Sequence, residues 1–176
     1  MRLKDYLLTG LAALSLAASS ISSATTIEKE EFKDLVQNAH ACVVARTVSI
    51  EHAMENGSPV TKTTFAVTET AFGTTPETIT VTTPGGRLSN ATVPMGEVNA
   101  GIPRFLNGTS AVLLLQERTA GEYSVSGVNQ GVFDMRPSAF GAVVQMPTSQ
   151  GGIMSLEEAL SVINEAREAD ANQIAE

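Results

Sequence analysis

The sequence predicts a mainly β protein: a small antiparallel barrel, closed or partly closed, flanked by an α-helix at each end, with an open β-sandwich as the alternative. Three observations carry that expectation. Between residues 41 and 135, five segments rich in valine, threonine and isoleucine favour extended chain, several with the apolar/polar alternation of a half-covered strand. Glycine, proline and asparagine separate them at short intervals. Helical periodicity is confined to two short stretches, near residues 27–39 and 156–170, which argues against the crossover helices of a parallel sheet. Closure would also leave no free edge at which Thr/Val-rich strands of two molecules could pair.

Residues 1–24 stand apart. Arg2 and Lys4 precede an apolar stretch from Tyr6 to Ala18, and Ser22-x-Ala24 follows, the layout of a cleaved secretory signal. The apolar stretch is shorter than the roughly 20 residues that span a bilayer. The chain is therefore expected to be exported, periplasmic or extracellular in a bacterium, with no membrane attachment after cleavage. Removal of Arg2, Lys4 and Asp5 leaves nine basic and eighteen acidic side chains, a formal charge of −9. So acidic a surface repels nucleic acid and anionic lipid, which excludes both as expected partners. Cys42 is the single cysteine, so no intramolecular disulfide can form, and stability is expected to come from the core. The sequons at Asn56, Asn90 and Asn107 fall in polar turns and are read as chance matches.

The expected organisation is a signal peptide (1–24), an N-terminal helix (25–40), a β-barrel domain (41–135) and an extension with a C-terminal helix (136–176). Thr25-x-x-Glu28 forms a capping-box pattern, and Phe32, Leu35, Val36 and Ala39 line one helical face after it. ACVVARTVSIE begins the strands, with Val44, Val48 and Ile50 expected on one face and Arg46 interrupting; AMENGSP is expected to form a turn or long hairpin loop. In VTKTTFAVTETAF, Phe65 and Val67 alternate with Thr64, Ala66 and Thr68, and in ETITVTT, Ile79 and Val81 are expected to point inward while Thr78, Thr80 and Thr82 point out. TSAVLLLQE is apolar almost throughout, as a strand covered on both faces would be, and EYSVSGV follows a turn at Gly121. Residues 134–154 hold one expected strand, GAVVQM. Ser155-x-x-Glu158 is a second capping box, opening a helix with Leu156, Ala159, Leu160, Ile163 and Ala166 on one face.

The segments LVQNAHACVVARTVSIE, VTETAFG, TITVTTPGG, GIPRFLNGTSAVLLLQE and YSVSGVNQGVF, taken in order, resemble a group of small secreted bacterial β-barrel proteins of unassigned function, over about residues 35–133. Ala45 stands where that group carries a glycine, and Phe72-Gly73 where it carries Lys-Gly. The same strand order is similar, more faintly, to the OB-fold barrel of netrin-like modules, which include the metalloproteinase inhibitors. That resemblance implies an OB-like barrel and, as one candidate partner, a co-exported protease. It implies no zinc-chelating mechanism, since Thr25 heads the expected mature chain and Cys42 lies well inside it.

Catalytic chemistry has few candidates. His40 and His52 are the only histidines, and no H-E-x-x-H, Gly-x-Ser-x-Gly, Walker or paired-cysteine motif occurs, so no cofactor and no metal site is expected. On an extended segment His40 and Cys42 could share a face as a dyad or metal pair, although a lone buried cysteine is usually a small core hydrophobe and His52 reads as a solvated surface residue. Glu69 and Glu97 are candidate hydrolytic carboxylates; such chemistry needs the pair about 5–10 Å apart. The stretch TVTTPGGRLSN invites a phosphate-loop reading, but no helix follows Gly86, and Pro84-Gly85-Gly86 suits a turn better. The long segment 84–108 nevertheless carries the candidate partner-binding residues Gly85, Gly86, Arg87, Arg104 and Phe105, the last three expected to be exposed. The function expected from these features is a non-catalytic exported binding module for a protein or saccharide, with a small periplasmic hydrolase using Glu69, Glu97 or Cys42 as the alternative.

Overall fold

The computed structural model describes residues 29–88, 95–139 and 141–169. The signal segment and the Thr25/Glu28 capping pair lie outside them. The protein is mainly β, with ten strands and two α-helices among the described residues. Helix α1 (Phe32–Asn38) is followed by β1 (Ala41–Glu55), β2 (Ser58–Phe72), β3 (Thr78–Pro84), β4 (Gly86–Leu88), β5 (Met95–Glu97), β6 (Ser110–Thr119), β7 (Glu122–Val125), β8 (Val132–Ser138), β9 (Gly141–Gln145) and β10 (Ile153–Ser155), and helix α2 (Leu156–Glu168) ends the described chain.

The main sheet runs β1-β2-β3-β7-β6-β8-β9-β10, and β6 also pairs back onto β1, so β1, β2, β3, β7 and β6 form a circuit of hydrogen-bonded neighbours. Its contacts are antiparallel except β3–β7, where Thr80 and Val81 run parallel to Glu122 and Tyr123. Alternation on the circuit's strands sorts two cores. Val43 and Ala45 of β1, Phe65, Ile79, Val81, and Ala111, Leu113 and Leu115 of β6 form one, closed by Tyr123 and Val125. The residues between them, Cys42, Val44, Val112 and Leu114, turn to the opposite face and meet Phe32, Leu35 and Val36 of α1 and Ala159, Leu160 and Ile163 of α2. That division explains why Ala111–Leu115 reads as continuously apolar: both faces of β6 are covered.

Both helices lie on that second face. Ser155 caps α2 as the sequence indicates, its Oγ accepting from the Glu158 backbone N–H at 3.2 Å. Near the other end of α2, Arg167 donates through Nη1 to the carbonyls of Val36 (3.3 Å), Gln37 (2.5 Å) and Ala39 (3.5 Å), satisfying the open C-terminus of α1. The same guanidinium lies 5.0 Å from the centroid of the Phe72 ring, tying α1, α2 and β2 together.

Several expectations need correction. The first helix starts at Phe32 instead of near 27, with Glu31 extended at its N-cap and no side-chain cap. Of the two forms expected for AMENGSP, the turn is present and the long loop is not: β1 and β2 run on to a two-residue turn at Asn56 (φ 51°) and Gly57 (φ 81°), the left-handed pair that matches hairpin twist. Val48 is 58% exposed, because the ladder slips there: Thr47 pairs with Phe65 and Ser49 with Thr64, leaving Val48 as the extra residue of a bulge. Residues 134–154 contribute to three strands, not one, and β8 crosses the expected boundary at 135/136. Pro137 is tolerated in β8 near its end, where it needs no ladder N–H. Among the described residues no helix is long and apolar enough to cross a membrane.

Candidate ligand-binding site

The slip at Val48 also shapes a cleft. Before it, the odd-numbered residues of β1 face the interior core; after it, Ile50 and His52 stand across the ladder from Thr63 and Thr61, which share a face with Phe65. The outer half of the β1–β2 hairpin therefore continues the inner surface past the core. The chain leaving β3 turns at Gly85 (φ 87°) and crosses this surface as the β4–β5 pair, where Gly86 faces Glu97 and Arg87 faces Gly96. Between hairpin, ribbon and the segment 98–106 lies a cleft of about 700 Å³.

All five candidate residues line it: Gly85, Gly86, Arg87, Arg104 and Phe105. Arg87 and Arg104 are exposed, and neither makes an ion pair or side-chain hydrogen bond among the described residues. Phe105 departs from its expected exposure. Its half-buried ring meets the buried Phe65 edge-on, centroids 4.9 Å apart, so it closes the end of the interior core and presents only part of its surface to the cleft.

The glycines build the wall. Gly85 N–H donates to the Pro59 carbonyl at 2.8 Å and its own carbonyl accepts from Thr61 Oγ1 at 2.8 Å, so this amide is committed to the fold and does not serve an anion. At Gly86 a Cβ would stand 3.0 Å from the Val60 carbonyl and 3.1 Å from His52 Nδ1, so glycine lets the ribbon lie this close to the hairpin, and a side chain here would push the two a few tenths of an ångström apart. Because the single Thr61 hydroxyl proton goes to Gly85, the 3.0 Å contact with His52 requires Nδ1 to be the donor, which leaves Nε2 of the neutral ring as an acceptor.

Two contributors were not singled out from sequence. His52, read as a solvated surface residue, is on the cleft wall. Thr63 is 0% exposed and lines the cleft, and its hydroxyl has no hydrogen-bond partner among the described residues. A sequence signal for both existed: a two-residue turn at Asn56-Gly57 fixes the register that sets His52 against Thr61 and Ile50 against Thr63.

The catalytic candidates are not brought together. Glu97 borders the cleft, whereas Glu69 is exposed on β2 eight residues beyond Thr61, roughly 25 Å along the strand and far outside the spacing of a carboxylate pair. Cys42 is 0% exposed in the helix-facing core, and burial, with a smaller contribution from the Glu69 charge, pushes its thiol up to about 12, away from nucleophilic reactivity. His40 faces solvent, its Nε2 3.6 Å from Glu117 Oε2, and forms no dyad with that thiol. Among the described residues there is no group of three or more His, Cys, Asp or Glu side chains able to hold a metal ion. Comparison with known protein families, with curated proteins and with solved structures finds no match to this chain.

Proposed function

We propose that this chain is an exported, non-catalytic binding module: an OB-like barrel flanked by two helices that takes its ligand in the cleft between the β1–β2 hairpin, the β4–β5 ribbon and residues 98–106. The circuit β1-β2-β3-β7-β6 with its single parallel contact supports the barrel, and the layout of residues 1–24 supports export. The observation that carries the binding role is that two arginines without an ion-pair or side-chain hydrogen-bond partner among the described residues, exposed apolar side chains and the buried Thr63 line one concavity of ligand size. The burial of Cys42 and the separation of Glu69 from Glu97 weigh against the hydrolase alternative.

A photo-crosslinking residue at Leu106, 68% exposed on the cleft rim, tests this against the same residue at Glu69 on the distant part of β2. Irradiation of the protein in its own compartment, followed by gel and intact-mass analysis, is expected to give an adduct at Leu106 and none at Glu69. Equal labelling at both positions, or none at either, would overturn the binding role of the cleft.

A further inference from the structure

We infer that the ligand is an amphiphilic carboxylate, an apolar body carrying one carboxylate group; this rests on the binding role just proposed for the cleft. Charge is the first argument. In a chain of formal charge −8, two arginines with no acidic partner among the described residues border one concavity, and the only acid lining it is Glu97. Guanidinium forks suit carboxylate and phosphate alike. A phosphate dianion would gain most from a nest of free backbone N–H groups, but the Gly85 amide is already bound to Pro59, and Glu97 opposes a second negative charge. A single carboxylate fits better.

Apolar surface is the second argument. Val98 (75% exposed) and Leu106 (68%) stand open at the rim, with Ile50, Ile102 and Phe105 deeper in the lining. Exposed aliphatic side chains beside arginines unpaired among the described residues match a ligand with both characters. A neutral saccharide matches less well: the chain has no tryptophan, and Phe105, the one Phe or Tyr lining the cleft, is half-buried against Phe65. The third argument is Thr63, a residue of the cleft lining whose hydroxyl is covered by protein atoms and has no partner among the described residues, so that a ligand oxygen displacing this cover would meet a free donor.

Acyl anions and peptide C-termini share this chemistry, and titration of the purified protein separates them. The probes are octanoate against octanamide, and a leucine-terminated pentapeptide as free acid against its C-terminal amide. One acid is expected to bind at least about tenfold more tightly than its amide, the size of one charged hydrogen-bonded contact. That preference should fall to about twofold or less in the R87Q/R104Q double variant, which alters exposed side chains only, and Thr63→Val should weaken the acid several-fold while the dichroism spectrum stays unchanged. Equal affinity for acid and amide, an R87Q/R104Q variant that keeps the preference, or no binding of either acid would overturn the carboxylate assignment. A Leu106 adduct with a neutral ligand would do the same while leaving the binding role of the cleft in place.

Discussion

Replacing Thr63 by valine should stabilise the free protein. Thr63 pairs in the ladder with Ile50 on one side and Val81 on the other, is 0% exposed, and has no acceptor for its hydroxyl among the described residues. A buried hydroxyl without a partner costs about 1–3 kcal/mol of desolvation. Valine has the same branched shape and an equal or better fit to a pleated strand, so the substitution should remove the penalty without opening a cavity. A gain of about 1–2 kcal/mol follows, and for a domain of this size each kcal/mol moves Tm by about 2–4 °C, an increase of roughly 2–8 °C. Calorimetry measures it directly, and urea unfolding should show a higher midpoint at unchanged slope. Thr47→Val is the control: Thr47 is 2% exposed and equally unpartnered but does not line the cleft, so it should stabilise without weakening any ligand. A Thr63→Val protein with the same or a lower Tm would refute the reasoning, since the hydroxyl would then be satisfied and not held in reserve.

Two further outcomes test the packing around the helices. The folded Cys42 thiol keeps its proton to about 12, whereas an unfolded one loses it from the ordinary value of 9.0. In that window the native state binds more protons, so stability should fall as pH rises, by about 1.4 kcal/mol per unit from this group. Denaturant midpoints across the window should decline more steeply for the native chain than for Cys42→Ala, and parallel slopes would show that the thiol is not shielded. Arg167→Ala removes the donor to the carbonyls of Val36, Gln37 and Ala39 at the C-terminal end of α1 and the contact with Phe72, and should cost about 1–2 kcal/mol; hydrogen exchange should quicken in Phe32–Asn38, and exchange unchanged there would separate the two helices energetically.

What could be read from the sequence followed the regularity of the chain. Ile79 and Val81 are buried as their alternation with threonines indicates, although Thr82, expected to point out, is covered too at 6% exposure, and the apolar run of β6 is covered on both faces. β1 breaks its own pattern. The extra residue at Val48 reverses which side chains face inward, so grouping Val44, Val48 and Ile50 by spacing joined residues that the bulge separates. The site was legible to the same degree. Gly85, Gly86, Arg87, Arg104 and Phe105 were suggested by one long segment, whereas His52 and Thr63 belong to a hairpin whose register depends on taking Asn56-Gly57 as a two-residue turn. Thr63 shows why polarity alone misleads: a threonine on a strand reads as an outward residue, but its parity with Phe65 turns it inward, where no acceptor awaits it. The bulge that obscured the pattern is the device that extends the interior surface beyond its apolar filling, so the same local irregularity that defeats periodicity creates the concavity on which the proposed ligand depends.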